Sequence, residues 1–229
     1  MNTEQSRNLI VNADDFGASL GINRGIVESY QRGIVTSTSL MVTGRALDDA
    51  VRLSAEHPGL AVGLHWDVIG EDDRTFDLDD LNRVRDEFNR QLERFVRAMG
   101  RRPTHVDSHR HLHMREPVFS VFRELAEEHS LPLRGAEPVR FVGSFYAQHE
   151  WKQTNLDHVS VAYLLDLIEH EVGEGWTEIG CHPGYVDPDF ESVYHAEREH
   201  EIATLTDGRV IQAITGMGLT LRSYADLEK

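Results

Sequence analysis

Apolar and polar positions along the chain switch between two periods: short apolar runs that suit buried strands, and three-to-four-residue spacings that suit helices. Leu9-Ile10-Val11 is the first strand-like run, and it breaks at Asn12-Ala13-Asp14-Asp15-Phe16-Gly17. Ile22, Ile26, Val27 and Tyr30 then recur at helical spacing within Gly21 to Arg32, closed by Gly33. Ser37 to Val42, rich in Thr, Leu and Val, predicts a second strand. Arg45 to Glu56 predicts a helix that buries Leu47, Ala50 and Val51 and stops at His57-Pro58-Gly59. A third strand is expected from Leu60 to Val68. The clearest helix places Leu81, Val84, Phe88, Leu92, Phe95, Val96 and Met99 on one stripe, with Asp79 or Asp80 as its cap. After the Gly100 and Pro103 break, His105-Val106-Asp107 reads as a strand that frays into a loop after Ser108.

The second half repeats the alternation. Pro117 opens a helix with Val118, Val121, Phe122 and Leu125 inward, and a short strand is expected near Leu131 to Arg134. Val161, Leu164, Leu165, Ile168 and Val172 mark a helix, and Trp176 to Cys181 a strand. Residues 187 to 200 read as a polar loop entering a helix. Asp207 caps a last helix using Val210, Ile211 and Ile214, and Leu219-Thr220-Leu221 ends the pattern as a strand. Phe141, Phe145, Tyr146 and Trp151 have no clear period; they either pack a loop or form a wall for stacking sugar rings.

Six or seven strands alternating with helices imply an α/β fold with a mainly parallel sheet and helices outside. The strands are expected to end around Val11, Val42, His65, Asp107 and Cys181. With 229 residues, no repeat and no dividing linker, residues 1–229 read as one domain with a substantial core. The net charge of −16 argues against nucleic acid or an anionic membrane as the main partner. A single cysteine, Cys181, rules out an intrachain disulfide framework and fits a reducing compartment. With neither a signal-peptide core near the start nor an apolar run approaching 18 residues, a cytoplasmic location is expected.

Chemistry concentrates in Thr104 to Met114, THVDSHRHLHM, which holds four of the 13 histidines: His105, His109, His111 and His113. Neutral imidazole is the commonest protein ligand for borderline metals. His105, Asp107 and His109 would share one face of a strand, which lets a carboxylate orient an imidazole. Asp14 and Asp15 directly follow an apolar strand, where each carboxylate loses solvation. One of them binding a cation while the other acts as a base explains the pair; a turn or helix cap is the plainer reading. His65 and Asp67 pair another imidazole with a carboxylate, and His182 ends a further strand before Pro183-Gly184. All these groups fall at C-terminal strand ends, where barrels and open parallel sheets build sites.

IVNADDFG with the following GIVTSTSLMV, GLH at Gly63 to His65, THVDSHRHLHM, and CHPGY at Cys181 to Tyr185 together resemble the YdjC-like carbohydrate deacetylases. The pieces occur in family order and span roughly residues 8 to 185. The resemblance implies a deformed (β/α) barrel, TIM-barrel-like with fewer than eight regular units. It also implies a divalent-metal-dependent hydrolase that removes acetyl groups from N-acetylated mono- or oligosaccharides. Matched position by position, Asp15, His65 and His109 would hold one divalent ion, Mg²⁺ or Zn²⁺, with His113 as reserve ligand. Asp14 would be the base and His182 the acid. A homodimer is compatible with this reading. Two features depart from the family: GLH is followed here by Trp66-Asp67, and the connection from His65 to His109 is short. Asp67 would then add a carboxylate near the metal ligands or bond a sugar hydroxyl. Two other readings share the residue chemistry: a metal-dependent phosphoesterase, and a noncatalytic sugar- or metal-binding module.

Overall fold

The computed structural model describes residues 6–70, 75–150, 152–188 and 190–227. Its centre is β1 (Arg7–Phe16), buried along almost its whole length. Around it the strands β2 (Ser37–Leu40), β3 (Ala61–Trp66), β4 (Val106–Ser108), β5 (Val139–Val142), β6 (Gly175–Cys181) and β7 (Thr220–Leu221) follow in chain order. All pairings between them are parallel, in the order β4-β3-β2-β1-β6-β5. β7 pairs with the start of β1, at Asn8 and Leu9, while β2 pairs with its later half from Asn12. At the β4 edge, Leu133 bridges Val106, with Val106 N–H donating to Pro132 and Arg134 N–H to Val106. Since residue 133 lies six positions before β5, the two edges of the sheet meet through one short turn. The sheet therefore curls into a deformed (β/α) barrel with helices outside.

The helices follow from the apolar stripes. They are α1 (Leu20–Arg32), α2 (Leu47–Glu56), α3 (Leu81–Met99), α4 (Val118–His129), α5 (Val161–Glu171), α6 (Ala196–Leu205) and α7 (Gly208–Gly216). Asp80 caps α3 by accepting from Arg83 N–H, and Gly100 ends it in the left-handed conformation. Val84, Phe88, Leu92 and Phe95 of α3 are buried, while Val96 lies on the exposed flank of the stripe. Phe88 meets Phe122 of α4 edge-on at 5.3 Å, and Phe122 meets Trp66 of β3 at 5.2 Å. Burying each such side chain is worth roughly 1.5–3 kcal/mol. Asp207 caps α7 as expected. Between α1 and the segment after β6 there is no room for a side chain: a Cβ on Gly25 would lie 2.5 Å from Gly184 Cα. This contact seats the turn that carries His182.

Four expectations change. β1 does not stop at Val11 but continues through both aspartates to Phe16. It does so because Asn12 and Ala13 keep register with Gly180 and Cys181 of β6, while the pairing with β2 shifts between Ala13 and Phe16. β2 ends at Leu40, two residues earlier than expected. The strand expected over Leu131 to Arg134 reduces to the bridge at Leu133, and the regular edge strand, β5, comes later. The loop expected after Ser108 is a kinked 3₁₀ helix, His109–Met114, with Arg110 and His111 both left-handed.

Candidate active site

The two aspartates part company at the bulge in β1. Asp15 takes φ +71°, a conformation that reorients successive side chains. Asp14 points into the barrel, where Arg134 donates to its two oxygens at 2.7 Å each and Asn12 donates at 2.9 Å. The same guanidinium contacts Asp107 at 2.9 Å and Glu178 at 2.6 Å. Ser39 and Tyr224 hydroxyls complete the group by donating to Asp107 and Glu178. Burial alone would raise the pKa of Asp14 and Asp107, but Arg134 and His65 together more than offset it and hold both low. Glu178, at the far end of the guanidinium, is raised by burial.

Asp15 faces the other way. Its Oδ1 lies 3.4 Å from His65 Nε2 and 3.3 Å from His109 Nδ1, and its Oδ2 accepts from Arg198 at 2.7 Å. Burial works against the charge on Asp15, yet Arg198 and the two imidazoles hold its pKa well below the usual range. Asp107 fixes the His65 ring through Nδ1 at 2.7 Å, which turns Nε2 towards Asp15. Burial lowers the pKa of His65, but Asp107 and its neighbours raise it well above normal, so a cation binding there must displace a proton. The donor atoms of Asp15, His65 and His109 all lie within 4.8 Å of one another. Bonds of about 2.1 Å at tetrahedral angles put donor atoms roughly 3.4 Å apart, and the three donors are close enough to hold a metal ion between them.

His182 follows β6 and brings Nε2 to 3.8 Å from Asp14 Oδ2. Its Nδ1 is buried, with no hydrogen-bond partner among the described residues. Burial lowers its pKa to about 4, in spite of the two nearby aspartates. The five residues open onto one cleft of about 530 Å³, which Tyr146 also lines. Tyr146 stacks on Tyr194 with ring centroids 4.6 Å apart and planes 12° from parallel, and lies 5.1 Å from the His182 ring.

All five residues singled out in the sequence thus meet. Others of the histidine-rich stretch do not join them. His113 is turned away, bonded to the Ser108 hydroxyl at 2.7 Å and to the Arg134 carbonyl at 3.2 Å. His105 bonds Ser39 and stacks on Tyr224 at 3.9 Å, beneath the site. The 3₁₀ helix carries His109 out of line with His105 and Asp107, and Asp107 orients an imidazole of the neighbouring strand instead. Asp67 neither joins the site nor faces the cleft: it accepts from Thr43 and from the backbone of Ile69 and Gly70, closing the turn after β3. Trp66 is core. Phe145 is fully buried and Phe141 lies under Arg134, so among the described residues of that aromatic group only Tyr146 forms a cleft wall; Trp151 lies outside the described residues.

Arg134, Glu178, Tyr194, Arg198 and Glu201 were not singled out by the sequence. Arg134 carried one signal, a charge at the end of an expected buried strand, the same signal that marked the aspartates. Arg198 and Glu201 sit on an ordinary polar helix and carried none.

Residues 8–215 match the sequence profile of the YdjC-like proteins. A carbohydrate deacetylase of Clostridium beijerinckii is 34% identical over 96% of this chain and 99% of its own length. A crystal structure of an Enterococcus faecalis protein superposes with a TM-score of 0.83 at 28% identity, covering 97% of this chain and 99% of that one. A family 4 carbohydrate esterase of Streptomyces lividans shares the fold, with a TM-score of 0.59 at 14% identity over 96% and 92% of the two chains.

Proposed function

Because the chain belongs to the YdjC-like family, we propose that it is a carbohydrate deacetylase that hydrolyses the acetamide of an N-acetylated mono- or oligosaccharide. The observation that carries this reading is the convergence of His65 Nε2 and His109 Nδ1 on one oxygen of Asp15, with Asp14 and His182 beside them. Two imidazoles and a carboxylate suit zinc, and a mixed O/N set also accommodates magnesium. Asp15, His65 and His109 would hold a divalent ion, which would supply a Lewis acid to polarise the acetamide carbonyl and acidify water.

The remaining roles belong to side chains. Asp14, ionised and aimed by Arg134 and Asn12, accepts a proton from the attacking water. Oxygen adds to the carbonyl carbon, the C–N bond breaks, and the products are acetate and the sugar amine. An amine leaves only once protonated, so the nitrogen needs a donor. His182 fills that role: neutral in the resting site, it takes up the proton that Asp14, 3.8 Å away, has removed from water and passes it to the nitrogen, which returns Asp14 to its ionised form. Arg134 and Arg198 are bound to Asp14 and Asp15, while Arg110 and Arg115 also line the cleft and keep a phosphoesterase as the second reading the test must separate.

The test is acetate release from a panel of N-acetylated mono- and disaccharides, with zinc or magnesium added and with a chelator. Metal-stimulated release from at least one sugar is expected. Release from none of them, with phosphate release from a sugar phosphate, would replace this reading with the phosphoesterase.

A further inference from the structure

The acid side of the cleft is held by a buried carboxylate with no place in the chemistry above. Glu201, on α6, is fully buried and accepts two hydrogen bonds, from His182 N–H and from the Tyr194 hydroxyl, each at 2.5 Å. The Tyr194 oxygen in turn accepts from Ala147 N–H at 3.1 Å, next to Tyr146. One turn earlier on the same helix, Arg198 donates to the carbonyls of His182 and Tyr194 and to Asp15. The backbone before the acid, the inner ring of the aromatic pair and the loop bearing the outer ring therefore all hang on one side chain.

We propose that Glu201 is a positioning residue: its carboxylate ties the His182 backbone to the Tyr194 hydroxyl and so fixes the acid against the aromatic wall on which the sugar ring stacks. The inference rests on the deacetylase reading for its catalytic consequence, though not for the tie itself. Tyrosine faces are suited to the apolar face of a sugar ring, and a stacked pair presents that surface rigidly. Acid catalysis depends steeply on distance, and a displacement of about 1 Å can cost on the order of a hundredfold. Burial raises the pKa of Glu201 to about 8; in neutral solution the carboxyl then accepts from His182 N–H through its carbonyl oxygen and shares one proton with the Tyr194 oxygen, so an amide is a close mimic.

The test uses the full-length chain and three variants. Glu201→Ala cuts both ties, and should lower kcat roughly tenfold to a hundredfold and raise KM while leaving metal affinity unchanged. Glu201→Gln keeps both, since its carbonyl accepts from His182 N–H and its amide donates to the Tyr194 oxygen; it should stay within about threefold of the parent. Tyr194→Phe keeps the ring but loses both bonds of the hydroxyl, to Glu201 and from Ala147 N–H, and should raise KM roughly fivefold to a hundredfold, as for two lost hydrogen bonds. Hydrogen–deuterium exchange gives an activity-independent readout: Glu201→Ala should speed exchange in the peptides carrying His182 and Ala147 but not in that carrying Asp15. Unchanged kcat and KM in Glu201→Ala overturn the proposal, as does Glu201→Gln falling as far as Glu201→Ala. If Glu201→Ala does not fold, an unchanged KM in Tyr194→Phe overturns it. A parent protein that releases no acetate refutes the deacetylase reading, and the exchange data still decide the tie.

Discussion

Arg134 is a cation with no exposure to solvent, and its guanidinium touches three buried carboxylates. Removing one partner of such a group leaves uncompensated charge, which typically costs about 3–5 kcal/mol. Arg134→Met should therefore lose a large part of the stability of the fold in urea unfolding. Arg134→Lys should also be impaired, because a single ammonium cannot span Asp14, Asp107 and Glu178 as a planar fork does. A loss under about 1 kcal/mol in Arg134→Met would show that the carboxylates reprotonate at little cost. Glu201 gives a pH signature at the same scale. Its folded pKa of about 8 lies above the ordinary carboxylate value, so the unfolded chain releases the proton first. The stabilisation is complete below about pH 4 and is lost as pH rises towards 8. The melting temperature of the parent should fall over that window relative to Glu201→Gln; parallel curves would contradict it. The paired aspartates were legible because charge at the end of an apolar run is conspicuous in one dimension. Their partners were not, since Arg134 and Arg198 are 120 and 183 residues away in sequence.

At the scale of elements, amphipathic helices were the most legible part of the chain. The stripe on α3 placed Val84, Phe88, Leu92 and Phe95 correctly because they recur at helical spacing on its buried face, where Gln91 is the polar exception, bonded to the Asp67 backbone. Phe88 is enclosed by Phe122 and the β3–α4 layer, and Phe88→Ala should cost about 3–5 kcal/mol by denaturant unfolding, with little effect on metal affinity. A much smaller loss would mean that the layer collapses into the space. Strand ends were less legible. β1 runs five residues past the point where its apolar run stops, because Asn12 and Asp14 find polar partners inside the barrel and Asp15 finds Arg198 at the cleft. Apolar content locates a strand only as far as its neighbours are apolar. The 3₁₀ helix at His109–Met114 escaped for a related reason: the left-handed Arg110 and His111 have no glycine to announce them. That kink separates His109, which enters the cleft, from His113, which packs beneath it.

At the scale of the molecule, the parallel alternation gathers four distant segments at one end of the sheet. β1 brings Asp14 and Asp15, β3 His65, the end of β4 His109, and the end of β6 His182. Of the residues that depart from the family, Trp66 lies in the core and Asp67 closes the turn after β3, and neither lines the cleft. Family and fold were legible from ordered motifs. The second layer of polar groups, Glu178, Tyr194 and Glu201 among them, is a product of tertiary packing and leaves no local pattern. The division of labour between the adjacent aspartates is the most exposed claim, because a one-residue difference assigns one to the metal and the other to the proton. The measurement is metal content, by equilibrium dialysis with zinc, beside acetate release for Asp14→Asn and Asp15→Asn. Asp14→Asn should bind one ion per chain with near-parent affinity and lose about 10²–10⁴-fold in turnover, whereas Asp15→Asn should lose both ion and turnover. Loss of the ion in Asp14→Asn with its retention in Asp15→Asn would reverse the roles, and full turnover in either variant would contradict them.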